Sequence, residues 1–369
     1  MLEDTFAFII HPITIKKDVA RKFPLAAKIF TEPQINFLSR FFPPLYISEV
    51  TGIQSAATGK ELRGWLLACP FTPPTMMSVP VEVAYNKIVA CGKMAEKLGA
   101  KMLGLGAYTS VVGDGGKTIA DRLDIAVTNG DSYTVTMAVA ALREAARVMD
   151  IDMRKATVAV VGATGTIGST CAQMLAGESA RLMLVGRRLD ALQRVRERCE
   201  GRGAQLRVSV NLDDIYDADL ILTVTSALDS VIEPRHLKPG VVVCDVARPR
   251  DVSWRVAQER DDVLVIEGGM VAVPGANADF HFDFGFPPKK AFACMAETMA
   301  LALEGRYEDY TIGKDIEITQ ALEIDEIATR HGFHLAGFRT FEKPVTDEQI
   351  ARVRQKAADN RKVWKPERA

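Results

Sequence analysis

Residues 157–168 read TVAVVGATGTIG, and this stretch decides the fold. A β-branched run ends at Gly162, two further glycines follow at intervals of three, and a helix-forming stretch begins near residue 169. Gly162 suits the tight turn, Gly165 lets the backbone approach a pyrophosphate, and Gly168 lets the helix pack closely on the strand. The backbone N–H groups at the helix start would then hold the phosphates. The stretch therefore predicts a dinucleotide-binding turn between a strand and a helix.

Strand-like and helical stretches continue to alternate from this turn to about residue 268. Besides 157–161, the strand candidates are residues 181–185, 220–225, 241–245 and 263–266. Parallel strands joined by crossover helices form a doubly wound sheet. We therefore predict an α/β protein with a Rossmann-like parallel sheet.

The end of the second strand indicates which nucleotide binds. Arg187 and Arg188 lie about 20 residues past the last glycine, where an enzyme preferring NAD places Asp or Glu for the ribose 2′-hydroxyl. Planar guanidinium groups suit a 2′-phosphate, so NADPH is the expected cofactor. The less favoured alternative is that both arginines lie on a solvated helix start. The residues predicted to bind it are Gly162, Ala163, Thr164, Gly165, Thr166, Ile167, Gly168, Arg187, Arg188, Thr225 and Ser226.

Three regions are predicted along the chain. Residues 1–150 alternate short strands and helices and form a smaller α/β substrate domain, and residues 151–275 form the NADP-binding domain. Residues 276–369 form a helical C-terminal segment, with helices predicted over 287–305 and 346–362.

Composition limits the function classes. The 369 residues carry 46 Lys plus Arg against 47 Asp plus Glu, so charge gives no reason to expect nucleic-acid binding. No run approaches the roughly 18–20 apolar residues of a membrane span, so no stable membrane insertion is expected. The acidic start of the sequence does not resemble a signal peptide, and we expect a cytoplasmic protein.

The six cysteines form no CxxC pair, so neither a metal site nor a disulfide framework is predicted.

Two patterns are candidates for the chemistry. Tyr310 and Lys314 match the Tyr-x-x-x-Lys pair of short-chain dehydrogenases, but Thr-Ile-Gly between them is poor helix material, so we treat the match as chance. Cys294 is the stronger candidate, because Lys290 would lie one turn earlier on the same helix face. An ammonium group and a helix amino end both stabilise a thiolate. A buried cysteine in an alanine-rich helix remains the alternative.

With these residues identified, the sequence resembles the cyanobacterial-type long-chain acyl-ACP reductases over about residues 6–340. The resemblance rests on the glycine motif with the strand before it, 156–168, and on the more specific phrase Phe-Ala-Cys-Met-Ala-Glu at 292–297, which leads to Leu-Glu-Gly at 303–305. Thr-Asn-Gly-Asp-Ser at 128–132 is a weaker match.

The resemblance implies that Cys294 accepts the acyl group of a thioester and that NADPH reduces the acyl-enzyme to a fatty aldehyde. It implies acyl carrier protein or CoA as the carrier, with His11 and His281 as candidates for protonating the leaving thiol. The stretch 274–288 and the tail beyond residue 342 differ from the family pattern. A solvated helix is the favoured interpretation of the basic tail, and docking of an acidic carrier is the alternative.

Two other function classes remain open. One is a dehydrogenase of a hydroxy or amino acid, such as the shikimate-type enzymes, in which Cys294 would be incidental. The other is a protein that senses NADP without turnover.

Overall fold

The computed structural model describes residues 4–364, which divide into two compact units. The first unit takes the chain up to Thr134 together with Val271–Ala336, and the second takes Val135–Met270 together with the chain from Gly337 onward. These limits differ from the predicted ones, because the segment predicted to form a separate C-terminal region is shared between the two units.

The first part of the chain builds a five-stranded sheet with helices. Its strands run in the order β2-β3-β1-β4-β5, with β2 antiparallel to β3 and the other neighbours parallel. The predicted alternation of short strands and helices is present, although β4 and β5 are too short to show a strand pattern in sequence. The elements are β1 (Asp4–Ile10), α1 (Ile15–Lys22), α2 (Pro24–Ile29), α3 (Glu32–Ser39), β2 (Leu45–Gln54), β3 (Glu61–Ala68), α4 (Pro73–Ser78), α5 (Val81–Leu98), β4 (Met102–Leu105), α6 (Tyr108–Val111), α7 (Lys117–Ala120), β5 (Ala126–Thr128) and α8 (Asp131–Val148).

The middle of the chain builds the predicted parallel sheet. Six parallel strands lie in the order β11-β10-β9-β6-β7-β8, so the winding reverses between β6 and β9. In such sheets ligands bind at the carboxyl ends of the strands beside this reversal. The α/β fold class is therefore confirmed, with one strand more than predicted, because the polar β8 lies at an edge. The elements are β6 (Thr157–Val161), α9 (Thr166–Leu175), β7 (Arg181–Val185), α10 (Leu189–Cys199), β8 (Gln205–Ser209), β9 (Leu220–Thr223), β10 (Val242–Asp245), α11 (Trp254–Glu259) and β11 (Leu264–Glu267).

The last part of the chain corrects one predicted helix. The helix predicted over 287–305 begins only at Ala293, because Lys289 has a left-handed φ of 59° and Lys290–Phe292 form a strand. No helix in residues 4–364 has the length and hydropathy needed to cross a membrane. The elements are β12 (Met270–Ala272), β13 (Lys290–Phe292), α12 (Ala293–Glu304), α13 (Ile318–His331), β14 (His334–Leu335), β15 (Arg339–Thr340), β16 (Lys343–Pro344) and α14 (Asp347–Val363).

The charged C-terminal helix, α14, packs within the second unit. Its Ile350 and Ala357 side chains are buried. The Asn360 side-chain amide donates to a carboxylate oxygen of Asp262 at 2.9 Å, and the Arg361 guanidinium donates to the carbonyl of Pro239 at 3.0 Å. The helix predicted over the tail is confirmed, and one of its faces is part of the core of this unit.

This packing predicts different effects for two neighbouring alanines of α14. Ala357→Glu should lower the free energy of unfolding by at least about 2 kcal/mol, because it buries a carboxylate in a filled site. Ala358 is exposed, so Ala358→Glu should change it by no more than about 0.5 kcal/mol. Denaturant unfolding of both variants measures the difference, and equal stabilities would show that α14 does not pack as described.

Candidate functional site

The glycine-rich turn between β6 and α9 has a geometry that only small residues permit. Gly162 has a left-handed φ of 83°, and a Cβ atom there would lie 2.6 Å from the carbonyl oxygen of Val224. A Cβ atom on Gly168 would lie 2.3 Å from the carbonyl oxygen of Gly162. These contacts provide the tight turn and the close packing of helix on strand that the sequence predicts.

The middle of this turn is open. A Cβ atom on Gly165 would meet nothing closer than the Gly162 oxygen at 3.4 Å, and Thr164 and Gly165 are exposed. The first N–H groups of α9 have no acceptor within the helix. The turn therefore fits a pyrophosphate, with Ala163, Thr166 and Ile167 completing its backbone.

The two predicted arginines lie directly after β7, next to this turn. Gly186 approaches the Thr164 side chain, and Arg187 and Arg188 follow with exposed side chains. Arg188 is the residue before the first turn of α10.

The predicted contact at Thr225 has a different role in the structure. Its hydroxyl donates to one oxygen of the buried Asp251 at 2.5 Å, and its N–H donates to the other at 2.9 Å. Thr223 donates to the same carboxylate at 2.6 Å. The Thr225 side chain thus holds the loop after β9, while the neighbouring Ser226 is exposed.

Cys294 lies at the start of α12 and beside the start of α8, whose residues up to Thr134 belong to the first unit. It is the second residue of α12, and the residue before α8, Gly130, packs directly against it. A Cβ atom on Gly130 would lie 2.3 Å from the Cys294 Cβ, so glycine alone fits there. Helix starts carry a partial positive charge and free N–H groups, which favour negative charge nearby.

Cys294 is also the accessible cysteine. All six cysteines lie within residues 4–364, and of these Cys294 alone is partly exposed while the other five are buried. Burial raises the pKa of the Cys171 and Cys244 thiols, which leaves both protonated.

The predicted partnership of Lys290 with Cys294 is wrong in its geometry. Lys290 belongs to β13 and not to the helix, so the one-turn spacing does not apply. Its ammonium group donates to the carbonyl of Ala336 at 3.1 Å.

The charges around Cys294 are acidic instead. Burial, together with Asp131 and Glu297, raises the pKa of the Cys294 thiol to about 12, although the Met295 N–H opposes this change. Burial and the charge of Glu297 raise the pKa of Asp131 to about 7. The resting sulfur is therefore a protonated thiol, contrary to the predicted thiolate, and a carboxyl group that titrates near neutral pH lies close to it.

Glu297, one turn after Cys294, connects the two helix starts. One of its buried carboxylate oxygens accepts the hydroxyls of Thr128 at 2.5 Å and Thr311 at 2.8 Å, and the other accepts the Tyr133 N–H at 2.7 Å. Sequence reasoning did not select Gly130, Asp131 or Glu297, although the phrases at 128–132 and 292–297 contain them.

The remaining candidates have structural partners. His11 is buried, its pKa falls to about 4 through burial, and its ring accepts the Tyr108 N–H at 3.0 Å, so it is a poor proton donor. His281 is an exposed residue bonded to Thr51 at 2.9 Å. Tyr310 lies outside any helix and donates to the carbonyl of Gln320, so its match with Lys314 is not a catalytic pair.

Comparison with known proteins places these sites in context. Residues 143–267 match the shikimate / quinate 5-dehydrogenase family, and all of these residues lie within the second unit. A long-chain acyl-[acyl-carrier-protein] reductase of Synechococcus elongatus is 28% identical over 89% of this chain and 98% of its own length. The predicted resemblance to these reductases is confirmed.

Two further proteins are similar along most of the chain. The aminotransferase PigE of a Serratia species is 27% identical over 95% of this chain, which spans only 42% of that longer protein. The structure of L-tryptophan dehydrogenase from Nostoc punctiforme aligns with 97% of this chain and 89% of its own, at 12% identity and a TM-score of 0.41. The match of residues 143–267 to a dehydrogenase family and the similarity to the acyl-ACP reductase indicate an oxidoreductase with a nicotinamide cofactor.

The acidic surroundings of Cys294 predict the effect of one substitution. Asp131→Asn removes a negative charge beside the sulfur, so the thiol pKa should fall and alkylation by iodoacetamide at pH 8 should become several-fold faster. Mass spectrometry of the Cys294 peptide measures the rate. Asp121→Asn, at an exposed position of the same unit, is the control and should leave the rate unchanged. An unchanged rate in Asp131→Asn would contradict the electrostatic role of Asp131.

Proposed function

We propose that this protein is an NADPH-dependent reductase that converts a long-chain acyl thioester into an aldehyde through an acyl group carried on Cys294. One observation carries the proposal. Cys294, the one partly exposed cysteine among the described residues, lies where α8 and α12 begin. Its support is the similarity to an acyl-ACP reductase along nearly the whole length of both chains.

The first half of the reaction transfers the acyl group. The thiol of Cys294 attacks the thioester carbonyl carbon while its proton passes to the Asp131 carboxylate, whose pKa of about 7 suits a general base at neutral pH. The carbon–sulfur bond to the carrier then breaks, and the carrier thiol leaves with a proton returned by Asp131. Cys294 is left acylated.

The second half reduces the acyl group to the level of an aldehyde. NADPH, when bound in the β6–α9 turn, supplies the hydride. The helix starts of α8 and α12 direct positive partial charge toward Cys294, where the carbonyl oxygen of its acyl group would become negative. Breakage of the bond from the Cys294 sulfur to carbon then releases the aldehyde, and the sulfur takes up one proton from solvent.

The similarity to shikimate / quinate 5-dehydrogenases supports nucleotide binding by the second unit. It does not support shikimate or quinate as the substrate. The match ends at residue 267 and includes neither Cys294 nor Glu297. A dehydrogenase without a covalent step, or a sensor of NADP, would have no use for an accessible cysteine in this position. We therefore favour the covalent reaction, with acyl carrier protein or CoA as the carrier and the cytoplasm as its site.

Arg187 and Arg188 predict the nucleotide preference. Replacing both with alanine should weaken NADPH binding by about 1.5–3 kcal/mol for each charge-assisted bond lost, and should change NADH binding little. Calorimetric titration of both nucleotides measures this. Arg194→Ala, at an exposed position of α10, is the control. Equal affinity of the wild type for the two nucleotides would contradict the assignment.

Cys294 predicts a covalent intermediate. Without NADPH, an acyl thioester should add one acyl mass to the wild type at Cys294, and NADPH should then release it as aldehyde. Cys294→Ala should form neither product and should bind NADPH normally. Cys294→Ser should be nearly as inactive, because an alkoxide forms far less readily than a thiolate.

Cys199→Ala is the matched control, because Cys199 is buried in the second unit. This variant should become acylated and form aldehyde as the wild type does. Aldehyde formation by Cys294→Ala at the wild-type rate would show that hydride reaches the free thioester. An adduct that persists with NADPH would indicate an acyltransferase.

A further inference from the structure

The region from α1 to the start of β2 exposes an unusual number of apolar side chains. Among the described residues, no other stretch of similar length exposes as many large ones. Leu25 and Ile29 are 74% and 71% exposed, and Phe41 is 71% exposed. We name this set the N-terminal apolar surface, and it comprises Phe23, Leu25, Ile29, Phe30, Phe37, Phe41, Phe42 and Tyr46.

The helices that carry this surface contribute little to the core. Helix α1 buries no residue, and α2 and α3 together bury only Ala27, Ile35 and Ser39. Leu25 and Ile29 are four residues apart and share a face of α2. The Phe37 and Phe41 rings pack edge to face at 5.4 Å while remaining exposed. Large contiguous apolar patches of this kind mark interaction sites.

The surface is held firmly on the first unit. The Thr75 hydroxyl donates to the side-chain oxygen of Asn36 at 2.7 Å. Lys87 donates to the carbonyl of Phe42 at 2.8 Å, and Lys22 donates to the carbonyl of Ile47 at 2.7 Å. Because the helices are anchored from behind, their apolar side chains are held outward.

Charge identifies the partner. Residues 13–46 contain six Lys or Arg and two Asp or Glu, whereas the whole chain has a net charge of −1. The exposed basic residues among them are Lys16, Lys17, Lys22, Lys28 and Arg40. Aromatic and aliphatic side chains with flanking lysines are the composition of helices that lie in a lipid interface.

We propose that the N-terminal apolar surface binds the interface of an anionic lipid bilayer. Its apolar side chains enter the boundary between headgroups and acyl chains, and the flanking basic side chains contact anionic headgroups. A second copy of this chain fits less well, because a symmetric dimer would bring two basic surfaces together. An acidic protein fits less well because eight large apolar side chains outnumber five exposed basic ones. The inference does not depend on the proposed reductase reaction.

Vesicle sedimentation of the full chain tests the proposal. The wild type should sediment with vesicles of equal parts phosphatidylcholine and phosphatidylglycerol at low salt, and much less with phosphatidylcholine alone. Leu25→Asp with Ile29→Asp should lower the partition coefficient for the anionic vesicles at least tenfold. Val210→Asp with Val363→Asp adds the same charge at exposed aliphatic positions of the second unit and is the control, which should bind as well as the wild type.

Circular dichroism and thermal unfolding establish whether each variant is folded. If the variant with Leu25→Asp and Ile29→Asp is unfolded, a variant with Phe37→Ser and Phe41→Ser replaces it. No sedimentation of the wild type, equal binding to neutral vesicles, or equal loss in the control would overturn the proposal. The proposal would also be overturned if the wild type self-associates and the variant with Leu25→Asp and Ile29→Asp is monomeric but binds vesicles equally well. Loss of binding to a purified acyl carrier protein, with vesicle binding retained, would assign the surface to the carrier instead.

Discussion

The buried carboxylate of Glu297 determines how the first unit presents its cysteine. Burial raises the pKa of this group, and the hydroxyls of Thr128 and Thr311 with the Tyr133 N–H offset the cost of burying it. These donors come from the end of β5, the start of α8 and the turn after α12. Because Glu297 is itself one turn from Cys294, it sets the position of the sulfur relative to the start of α8.

The second unit depends on a comparable constraint in its backbone. Gly162 and Gly168 leave no space for a side chain, so β6, α9 and the strand end at Val224 approach as closely as a backbone allows. The first N–H groups of α9 have no acceptor within the helix, as at any helix start, and in the proposed function they hold the phosphates of the cofactor.

The protonated state of Cys294 changes how the site has to work. A thiol with a pKa of about 12 is scarcely ionised at neutral pH, so it reacts slowly with oxidants and with stray electrophiles. In the proposed reaction its nucleophilicity comes from removal of the proton during attack, and Asp131, with a pKa of about 7, is the base that removes it. The acidic neighbours that suppress the thiolate are therefore also a source of the base.

The sequence by itself determined the parallel sheet, the nucleotide turn, the two arginines after β7 and Cys294 as the notable cysteine. These features depend on spacings of a few residues, since turn geometry, strand pattern and helix starts are properties of neighbours along the chain. Only the tertiary structure decided that α12 begins at Ala293, that Lys290 lies on a strand and that Thr225 is bonded to Asp251. It alone brought Gly130 and Asp131 beside Cys294, about 160 residues away along the chain. The ionisation of a side chain depends on the charges and the burial around it in space, and no local pattern contains that information.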